Sequence, residues 1–159
     1  MESLFAVVDV YFVSRVGTDA VATVGLTETV VTIVYALAIG ISMGATAMVS
    51  RRIGEDDPEA ASVAAFQAIL LSAVVSIIIS IVGILYAEDI LRMMGGSESL
   101  IASGANYTRI LLGSNIVITF LFLLNGIFRG AGDAFIAMRA LWIANICNII
   151  LDPLLILGI

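Results

Sequence analysis

The stretch AASVAAFQAILLSAVVSIIISIVGILYA, residues 60–87, decides the fold because its 28 consecutive residues carry no formal charge. A helix needs about 20 predominantly apolar residues to cross a lipid bilayer. Two further uncharged runs, Thr29–Ser50 and Ile110–Phe128, have 22 and 19 residues. Each of the three runs therefore predicts a membrane-spanning helix.

The composition of the whole chain also indicates a membrane protein. Of the 159 residues, 61% are hydrophobic and 13% are charged, whereas soluble domains have about 45–50% and about 25%. A domain of this length has too little interior to bury so much apolar surface away from water. We therefore exclude a soluble enzyme and a nucleic-acid-binding protein, and the net charge of -6 is a second reason against a polyanionic partner.

Residue counts exclude metal and disulfide sites that depend on histidine or cysteine. The chain has no histidine, and Cys147 is its single cysteine. A disulfide framework needs pairs of cysteines, and a structural zinc site needs several cysteine or histidine ligands. Charged and polar side chains within the predicted helices are therefore the remaining candidates for function.

Apolar segments at both ends extend the pattern to five helices. An apolar segment follows Arg139 and continues to Ile159, and Ser3–Ser14 is apolar but too short to cross a bilayer. Because both ends lie within apolar sequence, we expect a fragment of an all-α, polytopic transmembrane helix bundle. The predicted helices cover about residues 1–14, 21–50, 60–87, 104–128 and 136–159.

A carboxylic acid in the fifth predicted helix is the first candidate for function. An aspartate at the centre of a membrane helix costs about 2.5–3.5 kcal/mol, so Asp152 nearly cancels the gain from the neighbouring Ile and Leu side chains. Asn148 lies one turn earlier on the same face, and Pro153 is expected to kink the helix and supply a hinge. Intramembrane carboxyls are functional by default, while asparagines and proline kinks also serve helix packing.

A second carboxyl, Asp9, lies in the first apolar segment. It is six residues before Arg15, or about 9 Å along a helix, so an interfacial position at a helix end is the alternative. Since successive spans alternate in direction, we expect Asp9, Tyr107 and Asp152 in the same half of the bilayer. Two carboxyls, a phenol and the nearby amide can form one polar site at that depth.

Four short motifs occur along the chain: VDV at 8–10 followed by GTDAVATVG at 17–25, SRRIGEDD at 50–57, FRGAGD at 128–133, and NIILDPL at 148–154. They resemble motifs of multidrug and toxic compound extrusion (MATE) transporters. The motifs occur in family order and cover nearly the whole chain, but only about the first third of a full transporter. The resemblance implies a twelve-helix antiporter with two six-helix lobes, of which this chain is an incomplete N-terminal lobe.

The resemblance also implies a function and a set of site residues. The family exports amphipathic, often cationic compounds in exchange for H+ or Na+, without another cofactor. Asp9, Tyr107, Asn148 and Asp152 match its positions for cation or proton coupling, and Na+ at Asp9, Asn148 and Asp152 is the metal that this site could hold. The implied partners are a drug-like substrate, the bilayer of the cell membrane and the second lobe of the same chain.

Three other interpretations and one packing motif complete the predictions. A flippase for lipid-linked precursors shares the helix plan, but such proteins line their cavity with basic residues, whereas these spans contain acids. The sequence GAGD at 130–133 fits the GxGD pattern of intramembrane aspartyl proteases, but the Tyr-Asp motif of those proteases is absent. A truncated product without transport activity is the third. Gly40 and Gly44 have GxxxG spacing, which predicts close helix packing.

Overall fold

The computed structural model describes residues 18–133, 135–136, 138–139 and 142–143. These residues form helices and short turns, without a strand in this part of the chain. The four helices are α1 (Thr18–Gly54), α2 (Pro58–Met93), α3 (Glu98–Gly113) and α4 (Asn115–Gly130). The all-α architecture that the uncharged runs predict is confirmed.

The first two helices are longer than the predicted spans. α1 has 37 residues and α2 has 36, so each is about 55 Å long, whereas the hydrocarbon core of a bilayer is about 30 Å thick. The predicted spans end near the charged residues that flank each uncharged run. The helices extend beyond these residues, because a helix can contain charged residues outside the hydrocarbon core. The connection between α2 and α3 is consequently a short turn of residues 94–97.

The described helices have the length and the surface of membrane spans. Thr18–Gly54, Pro58–Met93 and the combined stretch Glu98–Gly130 are each long and apolar enough to cross a bilayer. Large apolar side chains on these helices are exposed, among them Leu85 at 66% and Ile33 at 63%. Exposed apolar surface of this extent is unfavourable in water and suits contact with lipid or with further apolar helices.

The described residues form two compact units. The first unit contains residues 18–38 and 71–120, and the second contains residues 39–70 and the described residues after 120. In the first unit, two apolar clusters hold α1, α2 and α3 together. One consists of Leu26, Leu91, Leu100, Ile101 and Ala105. The other centres on Leu112 of α3, which packs with Val31 and Val34 of α1.

In the first unit, α1 and α3 lie side by side and run in the same direction. A Cβ on Gly104 would collide with the side chain of Thr23, so the absence of a side chain permits this close approach. One turn further along both helices, the hydroxyl oxygens of Thr27 and Thr108 lie 2.9 Å apart in a buried hydrogen bond. From the first contact to the second, the residue number increases by four on α1 and by four on α3, which shows that the two helices are parallel.

In the second unit, hydroxyl groups of α1 contact the backbone of α4. Ser42 Oγ donates to the carbonyl of Phe122 at 2.7 Å, and Thr46 Oγ1 donates to the carbonyl of Gly126 at 2.9 Å. A small apolar cluster of Val49, Ala61 and Ala64 joins α1 to α2. Small side chains let these backbones approach closely, as in other membrane helix pairs.

Three turns end their helices in the same way. After α1, the N–H of Asp57 donates to the carbonyl of Arg52 at 3.0 Å, and the N–H of Asp56 donates to the carbonyl of Ile53 at 3.1 Å. This pair of bonds is a Schellman motif, which needs a residue with positive φ. That residue is Asp56 after α1 (φ 56°), Gly95 after α2 (φ 85°) and Gly132 after α4 (φ 87°).

A side chain one or two residues after the residue with positive φ caps the next helix. Asp57 Oδ1 accepts from the N–H of Ala60 at 2.9 Å, and Ser97 Oγ accepts from the N–H of Leu100 at 3.3 Å. Such side-chain acceptors satisfy backbone donors that have no partner within the first helical turn. One chain reversal therefore needs only about four residues, which keeps successive helices adjacent.

The fourth predicted span is divided at Ser114. α3 ends at Gly113 and α4 begins at Asn115, and Ser114 has φ -92° and ψ 8°. Its hydroxyl donates to the carbonyl of Ile110 at 2.8 Å. Serine hydroxyls that bond to the preceding turn bend helices, and the sequence here has no proline that would have predicted the break.

Candidate functional site

Most of the predicted coupling site lies outside the described residues. Asp9, Asn148, Asp152 and Pro153 are all outside them. Tyr107 is described and lies on α3. The proximity of the two carboxyls, and with it the Na+ site at Asp9, Asn148 and Asp152, stays a prediction. Within residues 18–133 and the described positions beyond them, no group of three Asp, Glu, His or Cys side chains could hold a metal ion.

Tyr107 lies on the side of α3 that faces away from α2. Two residues later, Arg109 Nη2 donates to Glu88 Oε1 of α2 at 2.6 Å, and two residues correspond to about 200° around a helix. The Tyr107 side chain is 39% exposed. Its neighbour Thr108 forms the buried contact with Thr27, so Tyr107 stands beside the α1–α3 interface.

The GxxxG pair in α1 makes no close contact within the described part of the chain. Gly40 and Gly44 are exposed, and a Cβ added to either one would meet no atom within 4 Å. The predicted helix packing at these two glycines therefore has no support among these residues. The side of α1 that packs carries Ser42 and Ala45 instead, because α4 contacts that side.

A different GxxxG pair, Gly126 and Gly130 in α4, makes the close approach. A Cβ on Gly126 would collide with the hydroxyl of Ser42, and a Cβ on Gly130 would lie 2.7 Å from the carbonyl oxygen of Thr46. Ser42 and Thr46 are themselves small residues four positions apart, so small-residue spacing occurs on both helices. The GxxxG spacing is present in both glycine pairs, and only the three-dimensional structure shows which pair packs closely.

Glu28 is an acidic residue of α1 that was not among the predicted site residues. The run Thr29–Ser50 begins one residue after it, although the predicted helix 21–50 contains it. Glu28 is exposed, and no ion pair or side-chain hydrogen bond joins its carboxylate to another described residue. An acid count within the predicted span, rather than a search for uncharged runs, would have found it.

The acid at the corresponding end of the uncharged run of α2 is paired. Glu88 follows Ala60–Ala87 directly and binds Arg109. Arg109 Nε also donates to the carbonyl of Ile84 at 3.3 Å, close to the non-helical Tyr86 (φ -112°, ψ 18°) that kinks α2. The charge of Glu88 is thereby balanced, in contrast to that of Glu28.

A buried polar cluster surrounds the junction of α3 and α4. Asn115 is 1% exposed, and its Nδ2 donates to the carbonyl of Leu112 at 2.6 Å and to Ser80 Oγ at 2.8 Å. Ser80 Oγ in turn donates to the carbonyl of Gly113 at 2.9 Å. These bonds satisfy backbone carbonyls at the helix break, so the cluster stabilises the bend within the apolar segment. Sequence reasoning missed Asn115 because no charge marks it.

The sequence matches the MatE protein family over residues 1–154. The match extends across nearly all of the chain and includes each of the predicted coupling residues. The chain belongs to the MATE family. The resemblance of its four short motifs to MATE transporters is confirmed.

Individual MATE proteins resemble the chain over a limited part of their own length. The chain is 30% identical to the "FAD transporter" of Shewanella oneidensis, over 98% of this chain and 34% of that protein. It is 28% identical to the "Probable multidrug resistance protein YoeA" of Bacillus subtilis, over 99% of this chain and 34% of that protein. The chain thus spans about a third of the length of these relatives.

A solved MATE structure has the same arrangement of helices. It is the inward-facing conformation of a multidrug resistance MATE family transporter of the MOP superfamily. The two chains superpose with a TM-score of 0.87 at 34% identity, over 97% of this chain and 35% of the other. The predicted architecture, an incomplete lobe of a MATE-type helix bundle, is confirmed.

Two of the MATE motifs form the helix turns. In SRRIGEDD, Glu55 accepts from Arg51 at 2.8 Å and from Arg52 at 2.9 Å, and these hydrogen bonds hold the pKa of Glu55 below its ordinary value. In FRGAGD, Asp133 Oδ1 accepts from the N–H of Ile136 at 3.1 Å. Both motifs consequently have a structural explanation that requires no substrate.

The same geometry explains the GxGD sequence without a protease. Gly132 supplies the positive φ of the Schellman motif, and the Asp133 carboxylate caps the following helix. Arg129 Nε donates to the carbonyl of Asn125. MATE proteins are membrane transporters and not enzymes, so membership of this family excludes the aspartyl protease.

Proposed function

We propose that the chain is part of the N-terminal lobe of a MATE antiporter that exports amphipathic or cationic compounds in exchange for H+ or Na+. The observation that carries this proposal is the family match over residues 1–154. Two further relatives bear the names "Probable multidrug resistance protein NorM", from Thermotoga maritima, and "Multidrug export protein MepA", from Staphylococcus aureus. The cell membrane is the proposed location.

The proposed mechanism depends on two carboxyls that share cations. Asp9 and Asp152, with Asn148 and Tyr107, form the coupling site that the family resemblance implies. Neighbouring carboxyls in a poorly hydrated cavity titrate as a coupled pair, so binding of H+ or Na+ changes the charge of the whole cluster. Loading then favours one of two arrangements of the first helix, with Pro153 as a hinge in the fifth. Substrate release follows from different affinities of the two states.

A second candidate substrate is a flavin nucleotide. The relative named "FAD transporter" favours it, since 98% of this chain aligns with that protein. The charges of this chain favour a cation instead, because the net charge is -6 and Glu28 is an unpaired acid among the described residues. The same charges argue against a flippase for pyrophosphate-linked lipids, whose substrate is anionic.

Charge-removing variants test the coupling site. In the full-length transporter, Asp9→Asn and Asp152→Asn are each expected to abolish export of ethidium without preventing membrane insertion, because the remaining groups cannot complete the cation exchange. Ethidium uptake into inverted vesicles, under separate Na+ and pH gradients, measures both the activity and the coupling ion.

Asp89→Asn is the matched control. Asp89 is exposed near the end of α2 and pairs with Arg92, so the loss of its charge leaves efflux unchanged. Efflux at the wild-type rate by both Asp9→Asn and Asp152→Asn would contradict the assignment of the coupling site. Absence of efflux by the wild-type transporter under either gradient would contradict antiport itself.

A further inference from the structure

Glu28 and Tyr107 lie at the same level along their helices. Thr27 and Thr108 hydrogen-bond across the α1–α3 interface at 2.9 Å. Glu28 follows Thr27 by one residue, and Tyr107 precedes Thr108 by one residue. Because α1 and α3 run in parallel here, the two side chains differ in height by only about 3 Å.

Both side chains also lie on the same side of the α1–α3 pair. On α1, Leu26 and Val30 belong to clusters that contain residues of α2. Glu28 is two residues from each of them, which places it about 160–200° around the helix. On α3, Tyr107 is likewise two residues from Arg109, which contacts α2. Glu28 and Tyr107 therefore both lie on the side opposite α2.

The position of Glu28 relative to the bilayer makes its charge significant. The uncharged run Thr29–Ser50 is about 33 Å long, close to the thickness of the hydrocarbon core, so Glu28 lies at the margin of that core. A carboxylate at this depth is unfavourable unless a cation or water balances it. Arg109 is the described cation at this level, and it binds Glu88 on the side towards α2.

We propose that Glu28 binds the cationic group of the transported substrate on the side of α1 and α3 that faces away from α2. This inference rests on the proposed function and adds the residue of this chain that binds the charged group of an organic monovalent cation. The carboxylate supplies the opposite charge, and the Tyr107 ring, at the same level and on the same side of the helix pair, has a face that attracts organic cations. Desolvation at the core margin strengthens both attractions relative to water.

The substitution Glu28→Gln in the full-length transporter tests this site. Uptake of tetraphenylphosphonium into inverted vesicles is measured at varied concentration, with protein amount and monodispersity checked for each variant. The KM is expected to rise about tenfold, with kcat within about twofold and with unchanged dependence on Na+ and pH. Glu28→Asp, which retains the charge, is expected to restore most of the affinity.

Glu88→Gln is the matched control because it removes a carboxylate charge at a similar level from α2, which lies on the other side of the α1–α3 pair. Its KM for tetraphenylphosphonium is expected to equal that of the wild type. An unchanged KM in Glu28→Gln overturns this inference and leaves the proposed function intact. A lower kcat with altered Na+ or pH dependence at unchanged KM also overturns it, since Glu28 would then act in coupling. A wild-type transporter that moves no cation overturns both proposals.

Discussion

At the residue scale, the same residue type has opposite consequences on different sides of a helix. Gly40 of α1 is exposed, and an added Cβ would meet no atom within 4 Å. Gly126 of α4 lies against Ser42, whose hydroxyl occupies the place of a Cβ. GxxxG spacing alone does not separate the two cases, because both glycines have a partner glycine four residues later.

The substitution Gly126→Ala is therefore expected to destabilise the protein by about 1–3 kcal/mol, because the added methyl group forces α1 and α4 apart. Gly40→Ala is the control and is expected to be neutral or slightly stabilising, since alanine favours helix by about 1 kcal/mol over glycine. Thermal unfolding of the purified variants in detergent measures the difference. Equal midpoints for the two variants would show that the α1–α4 contact is not close.

At the element scale, two adjacent aspartates connect α1 and α2 and have different structural roles. Asp56 adopts a φ of 56°, a left-handed conformation that is unfavourable for a residue with a side chain. Asp57 uses its carboxylate to cap α2, and Pro58 begins the helix at a position where no backbone donor is needed. In the sequence the two aspartates are adjacent acids of the same type. In the structure Asp56 forms the turn and Asp57 caps the next helix.

Substitutions at these two positions are expected to have effects of opposite sign. Asp56→Gly is expected to raise the stability by about 1 kcal/mol, because glycine adopts positive φ without steric cost. Asp57→Ala is expected to lower it by about 1 kcal/mol through loss of the cap, whereas Asp57→Asn retains an acceptor and most of the stability. The midpoint of thermal unfolding in detergent measures each change, and a shift of the same sign for Asp56→Gly and Asp57→Ala would refute this account of the turn.

At the scale of the whole molecule, the chain corresponds to a limited part of the transporters that it resembles. It spans about a third of the length of its relatives. Of the predicted coupling residues, Tyr107 is within the described part. The proposed export by alternating states requires two arrangements of helices around a shared site, which two six-helix lobes would supply in the full-length transporter that we propose.

The 159-residue chain expressed alone is therefore expected to insert into membranes without exporting ethidium. Insertion follows because α1, α2 and the combined stretch of α3 and α4, all within the described residues, are each long and apolar enough to span the bilayer. Membrane fractionation and ethidium accumulation in intact cells measure the two properties, with the full-length transporter as the positive control. Export by the chain alone would show that this portion already contains a complete transport path.

Much of the fold was predictable from charge spacing and part of the candidate site was not. Runs such as Ala60–Ala87 predict helices because an unsatisfied backbone is too costly within a bilayer. The motifs around Arg51 and Asp133 indicate the family, and the structure explains them as helix turns and caps. Glu28 was not predicted as a site residue because it lies just outside the uncharged run Thr29–Ser50. Asn115 was not predicted because it carries no charge.

The sequence by itself determined that this protein is a bundle of membrane helices of the MATE family. The patterns of hydrophobicity and charge are properties of short segments of the chain, so the sequence alone shows them. The tertiary structure alone decided that Gly126 rather than Gly40 packs closely, and that Glu28 and Tyr107 lie at the same level on parallel helices. These features depend on which helix faces meet, and contacts between residues about 80 positions apart leave no signal in a single sequence.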